Sequence, residues 1–262
     1  MQTTLDTVKG KFVVIKLSGK ALDSASWAAD IKLLQELGAR PVVVHGAGQQ
    51  IDALCAALGL ESKFLGGLRV TDAATLRAAE MALCSAGQQV VAALQRQGVN
   101  ALGLSGRDAA LLVAEPREPE LGLVGRIVAV NRDALELLCV DGFVPVVSPI
   151  ATGPGHAPLN TNADEAAQAV AASLGAHALL LLSDVDGVRG PDGRVARATP
   201  ESIAALRASG AATGGMLPKL QACADAIAQG VGMVRILKGD ASLLQALDPT
   251  QDVGTLVVPH GL

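Results

Sequence analysis

The sequence predicts an α/β fold, a three-layer αβα sandwich around one mostly parallel open sheet. Three observations carry that expectation. Apolar runs of buried-strand length alternate with longer alanine-rich stretches of helical spacing, the rhythm of successive βαβ units. Half of the 262 residues are apolar, yet there are only three Phe, one Trp and no Tyr, so small side chains must pack helices closely against strands. Gly38, Gly59, Gly98, Gly142, Gly175 and Gly230 fall just past predicted helix ends, where a left-handed cap favours glycine.

In chain order, the first strand is expected over 12–17 and runs into Lys16-Leu17-Ser18-Gly19-Lys20. This sets a lysine beside a glycine where backbone can approach an anion; an ordinary surface lysine before a turn is the alternative. It is not a P-loop, because the GxxxxGK[ST] spacing is absent. A helix over 27–37 precedes a strand over 41–45, which ends in His45-Gly46-Ala47-Gly48 directly before a helix over 49–58. The exposed amides and helix dipole there would face an anionic group. A neutral His45 holding the turn is preferred over a general base.

A long helix over 72–97 leads to a strand over 101–105. Alternating segments around Pro116, Pro119, Gly122 and Gly125, between 111 and 130, read as β-hairpins flanking a loop, a covering flap. After a helix over 132–141 and a strand over 144–148, residues 151–158 are the nearest thing to a seam between two lobes. Asn160-Thr161-Asn162-Ala163-Asp164 then turns into a helix over 163–174, with an asparagine placed to cap it and a carboxylate in its first turn. The apolar strand over 178–183 closes in Ser183-Asp184-Val185-Asp186-Gly187-Val188, whose aspartates suit a metal or a tight turn near a nucleotide. A helix over 200–209 follows. Thr213-Gly214-Gly215-Met216-Leu217-Pro218-Lys219 reads either as a mobile loop over a triphosphate or as a plain helix start, before a helix over 218–229 and a strand over 233–237.

Several function classes are excluded. Net charge is −4 with both signs interspersed and few aromatic rings, which gives no support to a nucleic-acid groove or a polybasic membrane patch. The four cysteines are scattered without a CxxC pair and read as buried thiols rather than metal ligands. The polar first ten residues and the strand-length apolar tracts predict a cytoplasmic protein that does not cross a membrane.

In this order and spacing, the motifs resemble the amino acid kinase family. The resemblance spans 13–257 and is carried by Val44-His45-Gly46, Gly67-Leu68-Arg69-Val70-Thr71, Leu121-Gly122-Leu123-Val124-Gly125, Asn160-x-Asn162-Ala163-Asp164 and Gly214-Gly215-Met216-x-Pro218-Lys219. It implies that ATP with Mg²⁺ phosphorylates the side-chain carboxylate of N-acetyl-L-glutamate to an acyl phosphate in arginine biosynthesis, without a covalent enzyme intermediate. It implies one domain, with an acceptor-binding lobe over about 1–158 and a nucleotide-binding lobe over about 159–262, and a homodimer.

Carried over residue by residue, the resemblance makes Lys16 and Lys219 the groups that offset charge on the transferring phosphoryl, oriented by Asp164. Gly46, Ala47, Arg69 and Asn160 would hold the acceptor. The nucleotide would lie along Ser18, Gly19, Asp184, Val185, Asp186, Gly187, Val188, Arg189, Ala211, Ala212, Thr213, Gly214, Gly215 and Met216, with no protein metal ligand. The chain departs from the family at Ser18-Gly19 (a glycine pair), at Ala47 (a glycine), at Gln88-Gln89 (an Asn-Lys pair) and at Arg126 (often acidic). The competing readings are a kinase for carrier-bound α-aminoadipate, a UMP kinase and a non-catalytic nucleotide-binding regulator.

Overall fold

The computed structural model describes residues 8–18, 21, 26–190, 193–208 and 216–259. β1 (Phe12–Leu17) is buried along its whole length, which is why its sequence is apolar on both faces. α1 (Ser26–Glu36) turns Trp27, Ala28, Ile31 and Leu34 inward at helical spacing. β2 (Arg40–His45), α2 (Gly48–Ala57), the two-residue strands β3 (Phe64–Leu65) and β4 (Leu68–Arg69), and the long α3 (Ala73–Arg96) follow. Next come β5 (Ala101–Ser105), β6 (Leu112–Pro116), β7 (Gly125–Val130), α4 (Arg132–Val140), β8 (Val144–Ser148), β9 (Ile150–Thr152) and β10 (Pro158–Asn160). The remainder comprises α5 (Ala163–Leu174), β11 (Ala178–Ser183), β12 (Val188–Gly190), β13 (Gly193–Val195), β14 (Arg197–Ala198), α6 (Pro200–Ala208), α7 (Met216–Ala228), β15 (Met233–Lys238), α8 (Leu243–Ala246) and β16 (Thr255–Val257).

The main sheet has eight strands in the order β14-β16-β15-β11-β1-β2-β8-β5, and β15 with β16 is its antiparallel pair. From β1 the chain builds outward through β2 on one side and later returns to β11 on the other. That reversal opens a crevice at the carboxyl ends of the central strands, where open α/β sheets bind ligands. Lys16 is in register with Val44 and Leu181, so it stands at this opening. Separate apolar cores cover the two sheet faces, and a third joins α2 to α3.

The six glycines expected to end helices all adopt positive φ, between 59° and 89°. Gly175 shows the reason: at φ 59°, ψ 46° its amide donates back to Ala172, closing α5. The expected flap is a β6–β7 hairpin, but it extends further than the sequence indicated. Residues 151–158, read as the nearest approach to a seam, overlap β9 and β10, and these join β6 and β7 in a four-stranded sheet. Among the described residues, no helix is long and apolar enough to cross a membrane.

Candidate active site

Asn162 begins the site. Its side-chain oxygen accepts from the amides of Asp164 (2.8 Å) and Glu165 (3.2 Å), capping α5 and setting Asp164 in the first helical turn. There the carboxylate lies at the positive end of the helix dipole, with only 7% of the residue exposed. Lys16 Nζ from β1 approaches Asp164 Oδ1 at 2.8 Å, and Lys219 Nζ from α7 donates to both carboxylate oxygens at 3.0 Å. Two lysines 203 positions apart (219 − 16) thus share one buried carboxylate.

Burial pushes Lys16 down to about 8, with the neighbouring Lys219 adding to the fall and the Asp164 carboxylate opposing it. Burial alone would raise Asp164, but the two ammonium groups override it and hold the carboxyl well below the usual carboxylate range. The cluster stands at the foot of a cavity of about 390 Å³, lined by Lys16, Arg69, Asn160, Asp164 and Asp184 among others. Two lysine side chains converging beneath a cavity suit an anion.

The wall facing the cluster is the start of α2. Ala47 is its N-cap and no side chain caps it, so the first amides of the helix are presented to the cavity that Ala47, Gly48 and Gln49 line. The Gly46 amide is committed elsewhere, donating to the Leu17 carbonyl at 3.0 Å. At the outer end, Arg69 is held along one edge. Its NH1 donates to Asp52 Oδ1 (2.6 Å) and Ser62 Oγ (2.8 Å), and its NH2 donates to the Gly48 carbonyl (3.3 Å). The Phe64 ring lies 4.7 Å from the guanidinium carbon. The Arg69 hydrogen bond holds the Asp52 carboxyl below its ordinary range, assisted by Ser62 and opposed by partial burial. One hydrogen on NH2 and the Nε hydrogen remain for a carboxylate.

The structure brings together Lys16, Ser18, Gly46, Ala47, Arg69, Asn160, Asp164 and Asp184 on one cavity, with Lys219 joined through Asp164. The Ser18 hydroxyl donates to Leu182, tying β1 to β11. Beyond Asp184 the arrangement changes. Val185 is exposed, Asp186 pairs with Arg189 at 3.0 Å on the surface, and Gly187 and Val188 pack against Thr255, whose hydroxyl accepts from the Val188 amide. Met216 opens α7, half-buried. Gly19, Ala211, Ala212, Thr213, Gly214 and Gly215 lie outside the described residues.

His45 is buried, its Nδ1 3.3 Å from the Gly46 carbonyl, and burial pushes it down to about 4, so it is a neutral ring in the turn. Gln88 lines a different cavity behind His45, and Arg126 pairs on the surface with Glu115 at 3.2 Å, so neither departure touches the lysine cluster.

Sequence reasoning missed Asp52, Phe64 and the hydroxyl of Thr71. For Asp52 a signal existed: Gly48 and Asp52 are one helical turn apart, so both meet the same partner, Arg69.

The sequence model of the amino acid kinase family matches residues 11–238. An acetylglutamate kinase of Symbiobacterium thermophilum is 42% identical, over 95% of this chain and 92% of that one. Another, of Dinoroseobacter shibae, is 45% identical over 87% of this chain and 82% of its own. The crystal structure of smu.665 from Streptococcus mutans superposes with a TM-score of 0.87 at 28% identity, covering 95% of this chain and 99% of that one. The chain belongs to the amino acid kinase family, in which its relatives at 42 and 45% identity are acetylglutamate kinases.

Proposed function

We propose that the chain transfers the γ-phosphoryl group of ATP to the side-chain carboxylate of N-acetyl-L-glutamate, giving an acyl phosphate and ADP in arginine biosynthesis. One observation carries this reading: Lys16 and Lys219 converge on Asp164 at one end of a cavity whose other end holds Arg69 and Asn160. The first end suits a phosphoryl in transit and the second an acidic head group.

The chemistry needs no proton. A carboxylate oxygen bonds to the γ-phosphorus as its bond to the ADP oxygen breaks, so positioning and charge compensation decide the rate. In this reading Lys16 and Lys219 offset charge on the equatorial and leaving oxygens, Asp164 holds both ammonium groups, and the first amides of α2 orient the attacking carboxylate. The free edge of Arg69 takes the α-carboxylate.

Among the described residues no three His, Cys, Asp or Glu side chains gather into a metal-binding group. Mg²⁺ would enter with the nucleotide, bound through its phosphates, and would supply charge neutralisation in the cavity that Asp184 lines. Residues 1–158 would form the acceptor lobe and 159–262 the nucleotide lobe of a cytoplasmic homodimer.

Incubating the chain with ATP, Mg²⁺ and hydroxylamine tests this. Hydroxamate should form with N-acetyl-L-glutamate. Product from carrier-bound α-aminoadipate alone, or UDP from UMP, would replace the reading, and ATP binding without turnover on any acceptor would make the chain a regulator.

A further inference from the structure

The mechanism leaves Thr71 unused, although it is fully buried between the two residues assigned to the acceptor's head. Its backbone is clamped from both sides by the Leu121–Leu123 segment: the Thr71 amide donates to the Leu121 carbonyl at 2.9 Å, and the Thr71 carbonyl accepts from Leu123 at 2.7 Å. The same segment then holds Asn160, whose amide donates to the Leu123 carbonyl at 3.0 Å. The hydroxyl is fixed as well. It donates its one proton to the Arg69 carbonyl at 2.8 Å, so towards Asn160 it can only accept, and Asn160 Nδ2 donates to it at 3.0 Å. This sets the orientation of the Asn160 carboxamide, leaving its oxygen and one N–H for a ligand.

We propose that Thr71 is a positioning residue for the acceptor: its hydroxyl joins Arg69 and Asn160 into one preorganised reader of the acceptor's head. This rests on the functional reading above. The relay acts on binding of the acid and not on the phosphoryl cluster, where Thr71 touches nothing.

Steady-state kinetics on Thr71→Val should show KM for N-acetyl-L-glutamate raised about tenfold, the scale of one hydrogen bond in a buried network. KM for ATP and kcat should stay within about twofold, and Thr71→Ser should restore the KM. An unchanged KM in Thr71→Val, a parallel loss in all constants, or a Thr71→Ser as impaired as Thr71→Val would overturn the relay. A second measurement needs neither a variant nor turnover. In the wild-type chain without ligand, NMR should show one Asn160 side-chain amide hydrogen protected from exchange with solvent, and rapid exchange of both would equally overturn it. If the wild type forms no hydroxamate from N-acetyl-L-glutamate, the functional reading falls and the relay with it, whereas turnover with an unchanged KM in Thr71→Val overturns the relay alone.

Discussion

Lys16 illustrates what a residue's surroundings add to its identity. An isolated lysine titrates near 10.5, but burial beneath the cavity brings this one down to about 8. If its ammonium form stabilises the phosphoryl in flight, kcat/KM should fall as pH rises through about 8 with the loss of one proton. A profile flat from pH 7 to 9.5 would remove Lys16 from that role. Lys16→Ala should abolish this limb and lower kcat by about a hundredfold, the usual cost of losing one charge stabiliser. Stability runs the opposite way in the same window. The unfolded chain keeps its proton up to about 10.5, so Lys16 by itself makes the fold more stable as pH rises from about 8 to 10.5. Asp164, depressed, contributes stability above its ordinary range that is lost on acidification.

The candidate roles of Lys16, Asp164 and Lys219 were legible from the order of motifs around them, since each motif alone fits an ordinary turn or helix start. The contacts that Ser62 and Phe64 make with Arg69 were not, and Asp52 offered only its helical spacing from Gly48, because these groups meet Arg69 only once the chain has folded.

Among the elements, the six strands expected by residue range and the seven main helices announced themselves through apolar period and glycine stops, and they differ from expectation by at most two residues at any end. The strands β3, β4, β9, β10, β12, β13, β14 and β16 did not. They are two or three residues long, too short for any period to show, and pairing with distant segments defines them. The Leu121–Gly125 segment was recognised as a motif, but its purpose appears only in three dimensions. It passes between Thr71 and Asn160, joined to each by a single β-bridge through Gly122 and Val124. Gly122 makes this approach possible: at φ +69° a Cβ there would stand 2.5 Å from the Thr71 carbonyl oxygen. Gly122→Ala should therefore destabilise the chain by about 1–3 kcal/mol through backbone strain, read as a lower Tm. Its KM for the acid should rise more than its KM for ATP, because the displaced carbonyl belongs to the residue between Arg69 and Asn160. An unchanged Tm would show that the segment can move aside at no cost.

For the whole molecule, the sheet's two edges differ in what they leave open. On one side β14 is two residues long and pairs in parallel with β16, so little free backbone is presented. On the other, β5 is five residues long, bonded only to β8, and carries Leu102 at 38% exposure. A regular edge bearing an exposed apolar residue is a template for pairing unless another chain covers it. A two-fold axis beside β5 would pair it with its own copy in antiparallel fashion, a closed isologous contact that extends the sheet and leaves neither copy of this edge free. The lysine cluster stands at β1, with β2 and β8 between it and β5, so assembly through β5 would leave the proposed phosphoryl site untouched. Sedimentation equilibrium at micromolar concentration should accordingly give twice the 26.4 kDa mass of the chain. Leu102→Glu, which sets two carboxylates against each other across the axis, should give the single-chain mass while the Asp164–lysine contacts remain. A wild type that sediments as a monomer would refute the homodimer, and a Leu102→Glu variant that stays dimeric would move the interface to another face.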